Sequence, residues 1–196
     1  MKFFLRILTI LAVSAAFAQA GSAAKPAGRL PAKFIMDNNY FSCGVPDGWR
    51  MEREKARDEE YKIYEVQLIA PEAEKTPTAI YVSYYTKGNA DFAGPEDFIE
   101  RNSANALGET KSERETYEPV KKMKLNGRKA SELSRAKTVY LHPESKSDES
   151  VKLQEKLYVL PAKSGFYVLH FTASETAFNK YLKLFEQVAE TFKGKP

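Results

Sequence analysis

The chain has 196 residues, 30 of them basic and 26 acidic, with two histidines and a single cysteine. One cysteine excludes an internal disulfide framework, and a near-balanced charge argues against a nucleic-acid partner, which needs many cations to neutralise phosphates. Length and a 43% hydrophobic content suffice for one domain with a core of its own.

The first twenty residues, MKFFLRILTILAVSAAFAQA, read as a signal peptide. Lys2 and Arg6 form a positive start, Ile7 to Phe17 an apolar centre, and Ala18-Gln19-Ala20 a small-x-small cleavage site. The apolar centre is too short for the ~20 residues that cross a bilayer, and no later stretch is longer. The mature chain is therefore expected to be exported, periplasmic or secreted, with no transmembrane segment. Loss of Lys2 and Arg6 leaves 28 basic against 26 acidic residues, a balanced surface.

GSAAKPAGRLPAK (21–33) is rich in Ala, Gly and Pro, without periodicity, and reads as the start of a flexible leader over 21–39. The folded domain is expected at 40–193. Its first strand, 40–45, places Phe41, Cys43 and Val45 on one face, and Pro46-Asp47-Gly48 turns the chain toward a second strand from Trp49. EREKARDEE (52–60) is expected to be a solvated loop or exposed hairpin. YKIYEVQLIA (61–70) alternates, with Tyr64, Val66 and Leu68 on one face. AIYVSYYT (79–86) is largely apolar on both faces, the mark of a central strand.

Residues 88–108 contain a helix, with Pro95 in its first turn, Glu96 and Asp97 complementing the N-terminal dipole, and Gly108 as the stop. Strands at 115–125 and 128–140 flank Asn126-Gly127, a dipeptide that accepts positive φ twice and so signals a hairpin. HPESKSDES (142–150) is a polar loop. Strands at 151–160 and 165–173 follow, the second again apolar on both faces. Ser174 caps a final helix whose stripe is Phe178, Leu182, Phe185, Val188 and Phe192. This order predicts an α+β fold, with a largely antiparallel sheet covered by helices.

The pattern FSCGVPDGWRMER (41–53) is similar to the strand–Pro–x–Gly–Trp opening of PsbP-like proteins. The order that follows is similar too: AIYVSYY, a helix at PEDFIERN, a hairpin at LNGRKA, then GFYVLHFTAS and FNKYLKLFEQVAETF. The resemblance covers most of 40–193 and contains no catalytic motif. It implies a single-domain α/β/α sandwich and a non-enzymatic role in binding a protein or a ligand.

Chemistry-bearing residues are few. Cys43 shares its strand face with Phe41 and Val45, so it reads as a packed thiol and not a nucleophile. His170 shares a face with Phe166 and Val168 and reads as a half-buried imidazole. His142, Glu144, Asp148 and Glu149 lack the ligand spacing of a zinc or calcium site and read as a solvated loop. Lys121, Lys122, Lys124, Arg128 and Lys129 read as solubilising charges around the hairpin. Trp49 reads as a core anchor, and Tyr81, Tyr84 and Tyr85 as packing for a sheet face. Phosphate loops, nucleophile elbows and zinc-protease helices are missing from the sequence. No catalytic residue, cofactor or metal is assigned. The expected function is a non-catalytic accessory or assembly module at the cell envelope, binding an envelope protein or a small ligand. The alternative is a small-molecule carrier with an apolar cavity between the sheet and the terminal helix.

Overall fold

A computed structural model describes residues 28–71, 75–104, 114–142, 144 and 146–195. The signal peptide expected at 1–20 and the helix stop expected at Gly108 lie outside the described residues. In chain order the elements are β1 (Ala32–Ile35), β2 (Phe41–Val45), β3 (Arg50–Glu52), α1 (Lys55–Tyr61), β4 (Ile63–Ile69), β5 (Ala79–Thr86) and α2 (Pro95–Ser103). There follow β6 (Glu115–Tyr117), β7 (Lys121–Leu125), β8 (Arg128–Tyr140), β9 (Ser150–Ala162), β10 (Gly165–Ser174), α3 (Glu175–Thr191) and β11 (Lys193–Gly194).

The two stretches apolar on both faces become the middle of the main sheet. It runs β3-β4-β5-β10-β9-β8-β6, with β7 also paired to β8, and every pairing is antiparallel. Successive side chains on a strand point to opposite faces, so each central strand feeds two cores. On one face Tyr64, Val66, Leu68, Ile80, Val82, Leu169 and Phe171 meet α3. On the other, Phe166, Val168, Leu157, Val159 and Leu133 meet Phe98 of α2. Parity is visible in neighbouring rings: Tyr84 stacks on Tyr167 toward α3, while Tyr85 stacks on Phe166 toward α2.

α3 lies where its stripe predicts. Phe185 and Val188 are fully buried, and Phe185 stacks between Phe171 and Tyr158 at ring separations of 5.5 and 5.1 Å. Ser174 caps the helix, its Oγ accepting from the Ala177 amide. Its other end is closed from the Asn126-Gly127 turn, where the Asn126 amide donates to the carbonyls of Ala189 and Phe192. A second sheet, β1-β2-β11, lies beside α3 and carries Phe41 and Cys43 into the same core.

Three expectations are corrected. The leader over 21–39 is not flexible in its described part: β1 pairs with β2, and the Leu30 side chain packs on the core. Its sequence lacks a strand pattern because it is short and sits at a sheet edge. The charged run 52–60 is neither loop nor hairpin but leads into α1. Glu, Lys, Arg and Ala are good helix formers, and the helix is anchored by a buried ion pair, Arg53 to Asp58, which hydropathy does not register. The Pro46–Gly48 turn joins β2 to β3 as expected, and the two strands belong to different sheets. The strand expected at 115–125 is broken into β6 and β7 around Pro119, which has no N–H to give to β8.

Candidate functional site

The residues singled out in the sequence are mostly structural. Cys43 is fully buried, and burial pushes its thiol up to about 12, so it holds no thiolate at neutral pH. Trp49 is buried and meets the Tyr181 ring edge-on at 5.4 Å. His142 Nε2 lies 3.5 Å from Glu149, whose carboxylate also pairs with Lys75 at 2.6 Å. Among the described residues no group of three such side chains could hold a metal ion. In the basic cluster, Lys121 pairs with Glu118, Lys122 donates to Ser131, and Arg128 donates to the carbonyls of Gly194 and Pro161. The sheet–α3 interface, where a carrier cavity was expected, is filled by the rings of Phe171, Phe178, Phe185 and Tyr158.

Concavity is found on the other face. α2 has nine residues and covers only part of that face. Beyond it the sheet opens into a cleft of about 580 Å³. Phe92, Phe98, Leu157 and Val168 form its apolar wall. The floor is charged. Glu155 stands on β9 with only 2% of its surface exposed, flanked by its cross-strand partners Arg135 and Thr172. Arg135 Nε donates to Glu155 Oε2, and its Nη1 donates to Asn102 Oδ1 of α2 at 3.1 Å. Lys137 Nζ is 2.9 Å from Glu155 Oε1, and His170 Nε2 is 3.4 Å from the same oxygen. The imidazole of His170 stacks on Tyr81.

Burial alone would push the Glu155 carboxyl up. His170, Arg135 and Lys137 outweigh that and hold it well below the ordinary carboxylate range. Glu155 therefore stays ionised and cannot exchange a proton near neutrality, which removes it as a general acid or base. Tyr81 is shifted the other way, first by burial and then by the charge of Glu65, so it remains a neutral phenol. At the β4 side, Glu65 accepts from Ser83 at 2.7 Å and from Gln67 at 3.2 Å. The cleft holds fixed charges and donors and can bind.

His170 was found in the sequence, but its partners were not. The signal was present: Glu155 interrupts the face that carries Leu153, Leu157 and Val159, while Arg135 and Lys137 share the face of Leu133.

Neither a protein-family model nor a curated protein sequence matches the chain. Solved structures do. A protein from Bacteroides thetaiotaomicron superposes with a TM-score of 0.53 at 15% identity over 86% of this chain, which spans only 50% of that longer protein. Cyanobacterial PsbP (CyanoP) from Synechocystis superposes with a TM-score of 0.52 at 12% identity, covering 83% of this chain and 91% of that one. The chain has a PsbP-like fold. PA94 from Pseudomonas aeruginosa, a protein of unknown function, shares it with a TM-score of 0.50 at 12% identity, covering 84% and 97% of the two chains. At such identities the PsbP-like likeness is one of architecture: an antiparallel sheet between helices, as the sequence resemblance implies. No helix among the described residues is long and apolar enough to cross a membrane.

Proposed function

We propose that the chain is an exported, non-catalytic binding module of the cell envelope, one domain preceded by a cleaved signal, whose working surface is the cleft beside α2. The observation that carries this is the cleft itself. It is large enough for a small organic ligand or a partner's side chains, it combines an apolar wall with a few fixed polar groups, and it lies on a rigid sheet. Glu155 is held ionised by its cationic neighbours, and Tyr81 is held neutral by burial. The buried thiol of Cys43 supplies no nucleophile.

The test is isolation of the mature protein from envelope extract, followed by native mass spectrometry, beside a Lys137→Trp variant whose indole fills the mouth of the cleft. An exported binding module begins at Gly21 and carries a bound small molecule or partner that the variant loses. A chain that keeps residues 1–20, or a bound species retained equally by the variant, contradicts the proposal.

A further inference from the structure

The hairpin end of the main sheet carries lysines that the fold leaves unmatched. Lys122 and Lys124 of β7 and Lys129 of β8 are exposed and share one face, and Lys124 stands directly opposite Lys129 in the register. Like charges opposite each other on paired strands repel, so this pair costs stability. Lys122 donates to the Ser131 hydroxyl, which is neutral. Lys163 is exposed in the neighbouring β9–β10 turn, and Arg128 ties the two turns together by donating to the Pro161 carbonyl at 2.9 Å. None of these four lysines forms an ion pair among the described residues.

The carboxylates around them do not cancel this charge. Glu118 and Glu132 pair with Lys121, and Asp97 pairs with Arg101. Glu190 shares a hollow with two cations, Arg128 and Lys193. At the border, Lys87, whose amide donates to the Ser164 carbonyl, and Asp91 of the same loop offset each other. Glu96 and Glu100 remain, exposed on α2, which packs on β8 and β9. Counted in full, they and Glu190 give three acids against four lysines, Arg128 and Lys193, an excess of three. The chain without residues 1–20 has an excess of only two, 28 basic against 26 acidic, so its charge is polarised to this end.

The patch is also chemically uniform. The exposed large hydrophobic side chains among the described residues, Ile35 and Met51, stand elsewhere, on β1 and β3. Protein interfaces are anchored by aromatic or arginine side chains seated in pockets. Here the unmatched cations are lysines, point charges on flexible stems with no planar fork to orient a partner. Such a surface suits a partner that offers many mobile single charges and asks for no fixed geometry. We propose that this end of the sheet docks on an anionic membrane surface, with Lys122, Lys124, Lys129 and Lys163 at the phosphate headgroups. No side chain inserts, and the adsorption is electrostatic and screened by salt. None of the four lysines lines the cleft beside α2, so membrane docking and cleft binding are separate properties.

The test is sedimentation of purified mature protein with vesicles of roughly one-third phosphatidylglycerol in phosphatidylcholine, beside vesicles of phosphatidylcholine alone, at about 0.1 M salt. The protein is expected to sediment with the anionic vesicles only and to be released at about 0.5 M salt. Each lysine at an anionic surface is worth about fivefold in partition, so Lys124→Gln/Lys129→Gln is expected to bind about 25-fold more weakly. Having lost an opposed pair of like charges, that variant is expected to melt no lower than wild type. Lys152→Gln/Lys183→Gln removes the same charge from exposed sites on β9 and α3. Lys152 is eleven positions before Lys163, about 36 Å along an extended strand and well beyond the ~10 Å screening length, so this control is expected to bind nearly as wild type. No partition onto anionic vesicles, equal partition onto neutral ones, or equal losses in the two double variants overturns the inference. It is likewise overturned if vesicles fail while an acidic envelope protein binds and is lost on Lys124→Gln/Lys129→Gln substitution. A cleft ligand retained by that variant shows the two properties failing separately.

Discussion

Replacing Glu155 by Gln keeps the shape of the side chain and removes its charge. Arg135 and Lys137 then face each other across a neutral amide, and His170 loses the carboxylate that lies 3.4 Å from its Nε2. Removing one partner of a buried ion pair costs about 3–5 kcal/mol, because the remaining charge is left uncompensated. Lys137 is a third exposed and can turn toward water, while Arg135 keeps Asn102, which places the cost near the lower end, about 3 kcal/mol. With a urea m value of about 2 kcal/mol/M, the midpoint falls by about 1.5 M. Urea titration followed by circular dichroism and by the fluorescence of Trp49, the sole tryptophan, reads this directly and checks two-state behaviour.

The pH dependence has a fixed sign. The folded-state carboxyl titrates well below its ordinary value of 4.5, so its contribution is fully present above that pH and is lost as pH falls. At pH 3 the unfolded chain is protonated and the folded one is still ionised, which removes about 2 kcal/mol at 1.36 kcal/mol per pH unit. The wild-type advantage over Glu155→Gln therefore shrinks to about 1 kcal/mol. A midpoint shift below about 0.5 M at pH 7, or a gap that stays constant down to pH 3, would refute the buried ionic cluster.

Phe185→Ala removes a ring packed between Phe171 and Tyr158 and should cost about 3–5 kcal/mol, whereas Lys183→Ala on the exposed side of α3 should cost little; equal denaturant midpoints for the two would mean that α3 does not cover the sheet. A bulky thiol reagent should label Cys43 slowly in the native protein and quickly in urea, and Cys43→Ala should cost about 1 kcal/mol; rapid native labelling at pH 6 would show a stabilised thiolate instead. Gly165 has φ +139°, and a Cβ there would stand 1.9 Å from the Tyr85 carbonyl oxygen, so Gly165→Ala should force β10 and β5 apart and lower the melting temperature by many degrees. An unchanged melting curve for that variant would contradict the pairing of Gly165 with Thr86.

The parts of the fold legible in the sequence are those whose burial repeats along the chain. β5 and β10 were visible because both of their faces are apolar, and α3 because its stripe recurs every three or four residues. The Asn126-Gly127 hairpin was visible because two successive positive φ angles, 51° and 79°, demand those residues. What escaped depends on partners remote in sequence. β1 exists because β2 and the Leu30 contact fix it, and α1 because Asp58 finds Arg53. The cleft escaped for the same reason: Glu155, Arg135, Lys137 and His170 lie on three strands, and only cross-strand register brings them together. A charge in the middle of an apolar strand face was the one trace it left.

The central claim, that binding takes place in the cleft beside α2, is most directly tested by photo-crosslinking in cells. A benzophenone amino acid is placed at position 81, on the floor of the cleft, or at position 183, on the exposed face of α3. The account predicts a discrete crosslinked envelope species from position 81 and none from position 183. Crosslinking from position 183 alone would place the binding surface on the helix and contradict it.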